Sequence, residues 1–206
     1  MQRRRPPVIA LLGVDGVGKT TQARRLARTL TAAGQPASYF ENGGGRPLLD
    51  ALARRLGRRD GPDLLGPRVH VTVEATFRGL AITRALALSR LTGRIAVMDR
   101  YTYCQYAVMR LRGDGGSGSG ARRVRAAYRR FPVPDLVVLF TAPATLAQAR
   151  VERRGRDHED LDRLAAFAEA YRSLPEAAAF HELPAAGTPD EVHGALLTLV
   201  TAALHH

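Results

Sequence analysis

A chain of 206 residues with one lysine, one cysteine and no tryptophan excludes several functions at the outset. Aromatic residues make up only 6%, so no stacking platform for single-stranded nucleic acid is advertised. The lone Cys104 excludes an intramolecular disulfide and suits a reducing compartment, the cytoplasm by default. No apolar run reaches the roughly 18–20 residues of a membrane span, so no membrane partner is expected. The opening "MQRRRPPVIALLG" places basic residues before an apolar stretch, yet "VIALL" is too short for a secretory signal and runs straight into a glycine loop.

Positive charge is abundant. Lysine and arginine together number 31 against 19 acidic residues, a net charge of +12. Such a balance raises the question of nucleic acid as partner. The basic residues are scattered, however, with only short clusters at 3–5, 122–130 and 150–156, and the heavy use of Arg over Lys matches a genome rich in Arg, Ala, Gly and Leu codons. Nucleic acid is therefore disfavoured, and attraction to small anionic nucleotides is the better use of the charge.

The length fits one domain spanning 1–206. Short apolar runs at 8–12, 37–40, 94–99, 135–141 and 179–183 read as strands buried in a sheet. Helical patterns lie between them: from Lys19 to about Ala33, at 48–57, 67–91, 103–112, 121–131, 143–155 and around 167–174, and from Pro189 onward. Strands alternating with helices imply an α/β fold, a central parallel sheet of about five strands flanked by helices in three layers. The run "GDGGSGSG" (113–120) reads as a flexible Gly/Ser loop, and the charge-dense 153–163 as a mobile segment.

The only lysine sits in "GVDGVGKT" (13–20), which fits the phosphate-loop pattern G-x-x-x-x-G-K-S/T between an expected strand and an expected helix. Gly13, Gly16 and Gly18 allow the backbone to turn with positive φ and bring N–H groups, with those of Val17, Lys19, Thr20 and Thr21, towards phosphate oxygens. The helix that starts near Lys19 adds its positive end. Thr20 can place a hydroxyl on Mg2+. Lys19 itself is a compact ammonium on a slender stem; a broad guanidinium would need more room inside the loop. A switch GTPase is disfavoured, because its guanine-reading N-K-x-D needs a second lysine. "DLLG" (63–66) follows no expected strand and reads as a chance match.

Several segments, in order, resemble the thymidylate kinase family: "LLGVDGVGKTTQARRLARTL", "VMDRYTYCQYA" (97–107), "PDLVVLFTAP" (134–143), "ARVERRGR" (149–156) and "GTPDEVHGAL" (187–196). The resemblance implies a P-loop nucleoside monophosphate kinase that uses ATP and Mg2+ to convert dTMP to dTDP. It implies that Asp99 helps hold Mg2+, that Arg100 and Arg78 clamp the acceptor monophosphate, and that Asp15 faces the acceptor. Arg153, Arg154 and Arg156, in a lid over about 153–163, would close on the transferring phosphoryl group. Val17 stands where one subgroup carries a loop arginine, so the catalytic arginine is expected from the lid. The family's usual association through helices implies a homodimer.

The acceptor side departs from the family pattern. "FENGGG" (40–45) stands for R-E-P-G-G, keeping Glu41 but placing Phe40 and Asn42 where Arg and Pro are usual. In "VEATFRG" Arg78 is kept, while Glu74 takes the position of the base-stacking Phe; Phe77 either stacks from a shifted register or belongs to the core. Cys104 replaces a Ser, Gln105 falls where a base-reading side chain sits, and Val108 replaces a sugar-contacting Tyr. A carboxylate in place of a π-face accepts hydrogen bonds from an amino group, which thymine lacks. Two alternatives stay open: a related kinase of another nucleotide, nucleoside or small acceptor, and a nucleotide-binding regulator without turnover.

Overall fold

The computed structural model describes residues 5–112, 119–155 and 160–204. Five strands, β1 (Val8–Leu12), β2 (Ala37–Glu41), β3 (Ile95–Asp99), β4 (Leu136–Thr141) and β5 (His181–Pro184), form one sheet in the order β2-β3-β1-β4-β5. Every pairing is parallel. The five expected strands are all present, each within two residues of its expected bounds.

β1 shows why so short a run makes a strand. All five of its residues are buried. Val8, Ala10 and Leu12 join one core layer, whereas Ile9 and Leu11 join the other, as the two-residue side-chain period of a strand requires. β3 divides in the same way, Ala96 and Met98 from Ile95 and Val97. One layer is closed by α4 (Pro67–Thr92), α5 (Thr102–Leu111) and α6 (Ser119–Tyr128), and the other by α1 (Lys19–Ala32), α7 (Ala144–Glu152) and α9 (Pro189–Leu204). α8 (Leu161–Arg172) gives Leu164 to the second layer and Ala170 and Tyr171 to the first.

Two short helices, α2 (Arg46–Arg55) and α3 (Gly61–Leu65), lie between β2 and α4. The "DLLG" run lies in and just after α3, which follows α2 rather than a strand. α8 begins at Leu161, inside the segment expected to be mobile, because Asp160 caps it by accepting from Asp162 N–H at 3.0 Å. Most of the Gly/Ser loop, and Arg156 of the expected lid, lie outside the described residues.

The strand order sets the site. β1 runs between β3 and β4, and the chain leaves β1 through α1 towards β2 at the far edge. The carboxyl ends of β1 and β3 thus open side by side at the switch point where such sheets bind ligands. Leu11 and Glu41 both align with Asp99 in the register.

Candidate active site

The loop 13–18 leaves β1 and turns into α1. Gly13, Gly16 and Gly18 carry φ of 138°, 89° and 95°, values that side chains adopt only at a cost. At Gly16 space forbids a side chain as well: a Cβ would lie 2.1 Å from the Ala147 carbonyl oxygen at the start of α7. Val17 is 2% exposed and packs beneath Gly13, so its side chain anchors the loop.

Lys19, 4% exposed, folds back over the loop. Its Nζ donates to Val14 O at 3.0 Å and to Asp15 Oδ1 at 2.9 Å. Asp15 also accepts from Arg100 on its Oδ1. Burial pushes the Asp15 carboxyl up, but the Lys19 ammonium and the Arg100 guanidinium prevail and hold it well below the usual carboxylate range. Burial likewise opposes the charge on Arg100, and Asp15, together with Cys104, Tyr171 and Asp99, outweighs it and raises that guanidinium further. Asp15 is thereby a fixed anion between two fixed cations.

Thr20 donates its hydroxyl to Asp99 Oδ2, across from α1 to the end of β3. Asp99 is 2% exposed, and its Oδ1 is buried with no hydrogen-bond partner. A hydroxyl and a carboxylate with an unsatisfied oxygen are the hard donors Mg2+ takes, and it keeps waters and phosphate oxygens for its remaining positions. No group of three or more His, Cys, Asp or Glu side chains that could hold a metal ion is present among the described residues. Tyr39 donates to Asp99 Oδ2 at 3.5 Å and to Glu41 Oε2 at 3.3 Å. Its own burial, then these two carboxylates, push its hydroxyl up to about 12.

On the side where the acceptor is expected, Arg78 and Gln105 meet. Both are buried, and Arg78 donates to Gln105 Oε1 and, at 3.3 Å, to the Asn42 carbonyl. The Arg78 guanidinium and the Glu74 stem both flank Gly44. Glu74 Oε2 stands 3.5 Å from His70 Nδ1 and 3.7 Å from Arg112. Position 74 therefore carries a buried carboxylate in an ion-paired cluster. Phe77 is neither a core residue nor inside this cluster: it is 38% exposed and covers Gly45. Cys104 is fully buried, which removes its thiol from direct contact with solvent. Glu41 is exposed at the end of β2.

A groove of about 150 Å³ runs along the other side of the phosphate loop. Gly16, Val17, Gly18 and Thr21 line one side, Arg150 and Arg154 another, and Ala185, Gly187 and Pro189 the far wall. Arg150 donates to Ala185 O at 2.9 Å. Arg153 is exposed just past the end of α7. Of the expected lid arginines among the described residues, Arg154 is thus placed against the groove and Arg153 is not. Four residues not expected to matter now belong to the site: Asn42, Gln22, Arg150 and Arg112. Asn42 had a signal as a departure from the family's loop, and Gln22 and Arg150 lie inside segments that carry the resemblance; Arg112 is brought in by tertiary packing.

No family model matches the chain. The chain is 32% identical over 208 aligned residues to "Thymidylate kinase" of Xanthomonas campestris pv. campestris (strain B100), covering 96% of this chain and 84% of that protein. It is 28% identical to "Thymidylate kinase" of Pseudomonas syringae pv. syringae (strain B728a), with 93% of each chain covered. To "Thymidylate kinase" of Pseudomonas fluorescens (strain Pf0-1) it is 29% identical, over 72% of this chain and 70% of that one.

Proposed function

Because the chain belongs to the thymidylate kinase family, we propose that it transfers the γ-phosphoryl group of ATP to dTMP, giving ADP and dTDP. The observation that carries this is the meeting of the two strand ends: Lys19 and Arg100 share Asp15, while Thr20 reaches Asp99. Lys19 and the amides of 13–20 hold the donor phosphates. Arg100 and Arg78 hold the acceptor phosphate, whose oxygen attacks the γ-phosphorus directly, so no side chain need act as covalent nucleophile. Asp15 keeps both cations aimed at the space between donor and acceptor. Thr20 and Asp99 would hold Mg2+, which when bound neutralises charge on the donor phosphates. Arg154, with Arg153 and Arg156, stabilises charge on the transferring group.

This reading takes the whole chain as one kinase domain, supported by both core layers packing on a single sheet. It also takes the protein as a homodimer. Val69, Leu80 and Leu91 are 52%, 62% and 82% exposed and recur every eleven residues on α4, close to three helical turns, so they form one apolar stripe. Among the described residues no helix is long and apolar enough to cross a membrane, and the lone buried cysteine suits the cytoplasm.

One observation favours a second acceptor, a monophosphate with an amino group on its base. The buried carboxylate of Glu74 accepts hydrogen bonds, and an exocyclic amino group supplies them. The test of both readings is Mg·ATP-dependent ADP formation across a panel of nucleoside monophosphates and nucleosides, with Lys19→Ala as control. Turnover with dTMP is expected. Turnover confined to amino-bearing bases supports the second acceptor, and ATP binding without turnover on any acceptor overturns the kinase reading.

A further inference from the structure

The far wall of the groove beside the phosphate loop, at 185–189, joins β5 to α9. A buried polar chain ties it to α1. Gln22 is 3% exposed and donates from Nε2 to Pro189 O at 2.8 Å. A carbonyl only accepts, so this bond fixes which way the amide points. Gln22 Oε1 then faces His193 Nδ1 at 3.0 Å. An amide oxygen also only accepts, so Nδ1 carries the proton. In the neutral ring Nε2 is left as the acceptor, and Thr29 Oγ1 donates to it at 3.1 Å. Both ring nitrogens of His193 are engaged, and the chain runs Thr29, His193, Gln22, Pro189.

Without the Nδ1 proton the Gln22 amide loses one of the two partners that hold it in this orientation. Turned over, it would set Oε1 against the Pro189 carbonyl, two acceptors facing each other. The other tie at this point is exposed: Arg25 reaches Pro189 O at 3.4 Å and Asp190 at 2.6 Å, and solvent screens such a pair. Arg25 on α1 and Asp190 on α9 are also the charged groups that bear on His193.

We propose that His193 is a positioning residue for the donor nucleotide, acting through Gln22 to hold the 185–189 wall at the width that the donor's base needs. The proposal rests on reading this groove as the donor-base site of the kinase proposed above.

Steady-state kinetics with ATP and acceptor varied in turn test it, on wild type, His193→Leu, His193→Asn, Gln22→Leu and the His193→Leu/Gln22→Leu double variant. His193→Leu is expected to raise the KM for ATP about 5–20-fold, the worth of one or two hydrogen bonds, with kcat and acceptor KM within about two-fold. His193→Asn, whose amide N–H can replace Nδ1–H, is expected to recover most of this. The double variant is expected to be no worse than the more affected single variant, since both residues act on one link.

An unchanged KM for ATP in His193→Leu overturns the proposal. So does a parallel change in kcat and both KM values, a failure of Asn to rescue, or a multiplication of the two single effects. If His193→Leu does not fold, Gln22→Leu carries the test: it must raise the KM for ATP alone while His193→Asn stays near wild type, and an unchanged KM overturns the proposal. Arg150→Ala separates the two levels. Should it too leave the KM for ATP unchanged, the donor-groove reading has failed along with the proposal; should it raise that KM while His193→Leu does not, only the role of His193 has failed.

Discussion

Asn42 holds the backbone of Arg100: its Nδ2 donates to the Arg100 carbonyl at 2.8 Å, and among the described residues Arg100 is the only non-glycine with positive φ, at 74°. The Asn42 amide N–H donates in turn to Asp99 O at 3.0 Å. The loop after β2 thus clamps the end of β3 and keeps a strained residue in place, with its guanidinium on Asp15. A left-handed non-glycine conformation costs about 1–2 kcal/mol, and such strain collects where a side chain must be aimed. This is a physical role for the residue that departs from the family's proline: Pro has neither the N–H nor the side-chain amide that make these two bonds.

Arg100→Gly and Arg100→Ala remove the same guanidinium, but only glycine releases the strain. The glycine variant is expected to be more stable than the alanine variant by about 1 kcal/mol, read as a difference in urea unfolding free energy. Both are expected to lose acceptor-dependent turnover by at least about 100-fold, as for removal of a charge-stabilising group. Equal stability of the two variants would show that the backbone at Arg100 is not strained.

Lys19→Arg keeps the charge and is still expected to fail. The ammonium fits between Val14 O and Asp15 with 4% of the residue exposed, and a planar fork with five donors has no room to do the same. A fall in kcat/KM of about 10²–10³-fold is expected, with far-UV circular dichroism unchanged. Activity within ten-fold of wild type would mean that the loop needs only a positive charge.

Gly16→Ala and Gly18→Ala separate steric exclusion from backbone strain. Both glycines have positive φ, 89° and 95°. A Cβ at Gly16 meets the Ala147 carbonyl oxygen at 2.1 Å, whereas at Gly18 nothing lies within 4 Å. Gly18→Ala is expected to lose about 1 kcal/mol from strain alone, and Gly16→Ala about 2–3 kcal/mol or more, because α7 must shift. Equal losses in denaturant unfolding would place α7 further from the loop than the structure has it.

The phosphate loop was legible because its chemistry needs particular residue types in one contiguous run, and the five strands because each is a short apolar run buried on both faces. Contiguity also explains the misses. Gln22 and His193 lie 171 positions apart, and nothing local to "GTPDEVHGAL" says that its histidine faces the helix of the phosphate loop. Glu74 could be singled out as a departure, but its partners His70 and Arg112 come from an earlier turn of α4 and the end of α5. The charge density of 153–163 hid the start of α8, although Asp160 before an acidic first turn is a capping signal.

His193 also sets a pH dependence of stability. Burial, then the Arg25 guanidinium, lower its ring below the ordinary value of 6.5, with Asp190 opposing. A ring that resists protonation in the fold binds fewer protons there than in the unfolded chain. Its contribution is therefore fully present above the unfolded value and is lost as pH falls through it. Between about pH 7.5 and pH 5.5 the urea midpoint of the wild type is expected to fall further than that of His193→Asn, which keeps the bond to Gln22 but cannot titrate. Groups common to both proteins cancel in that difference. An equal fall in both would mean that the ring binds its proton as readily in the fold as in the open chain.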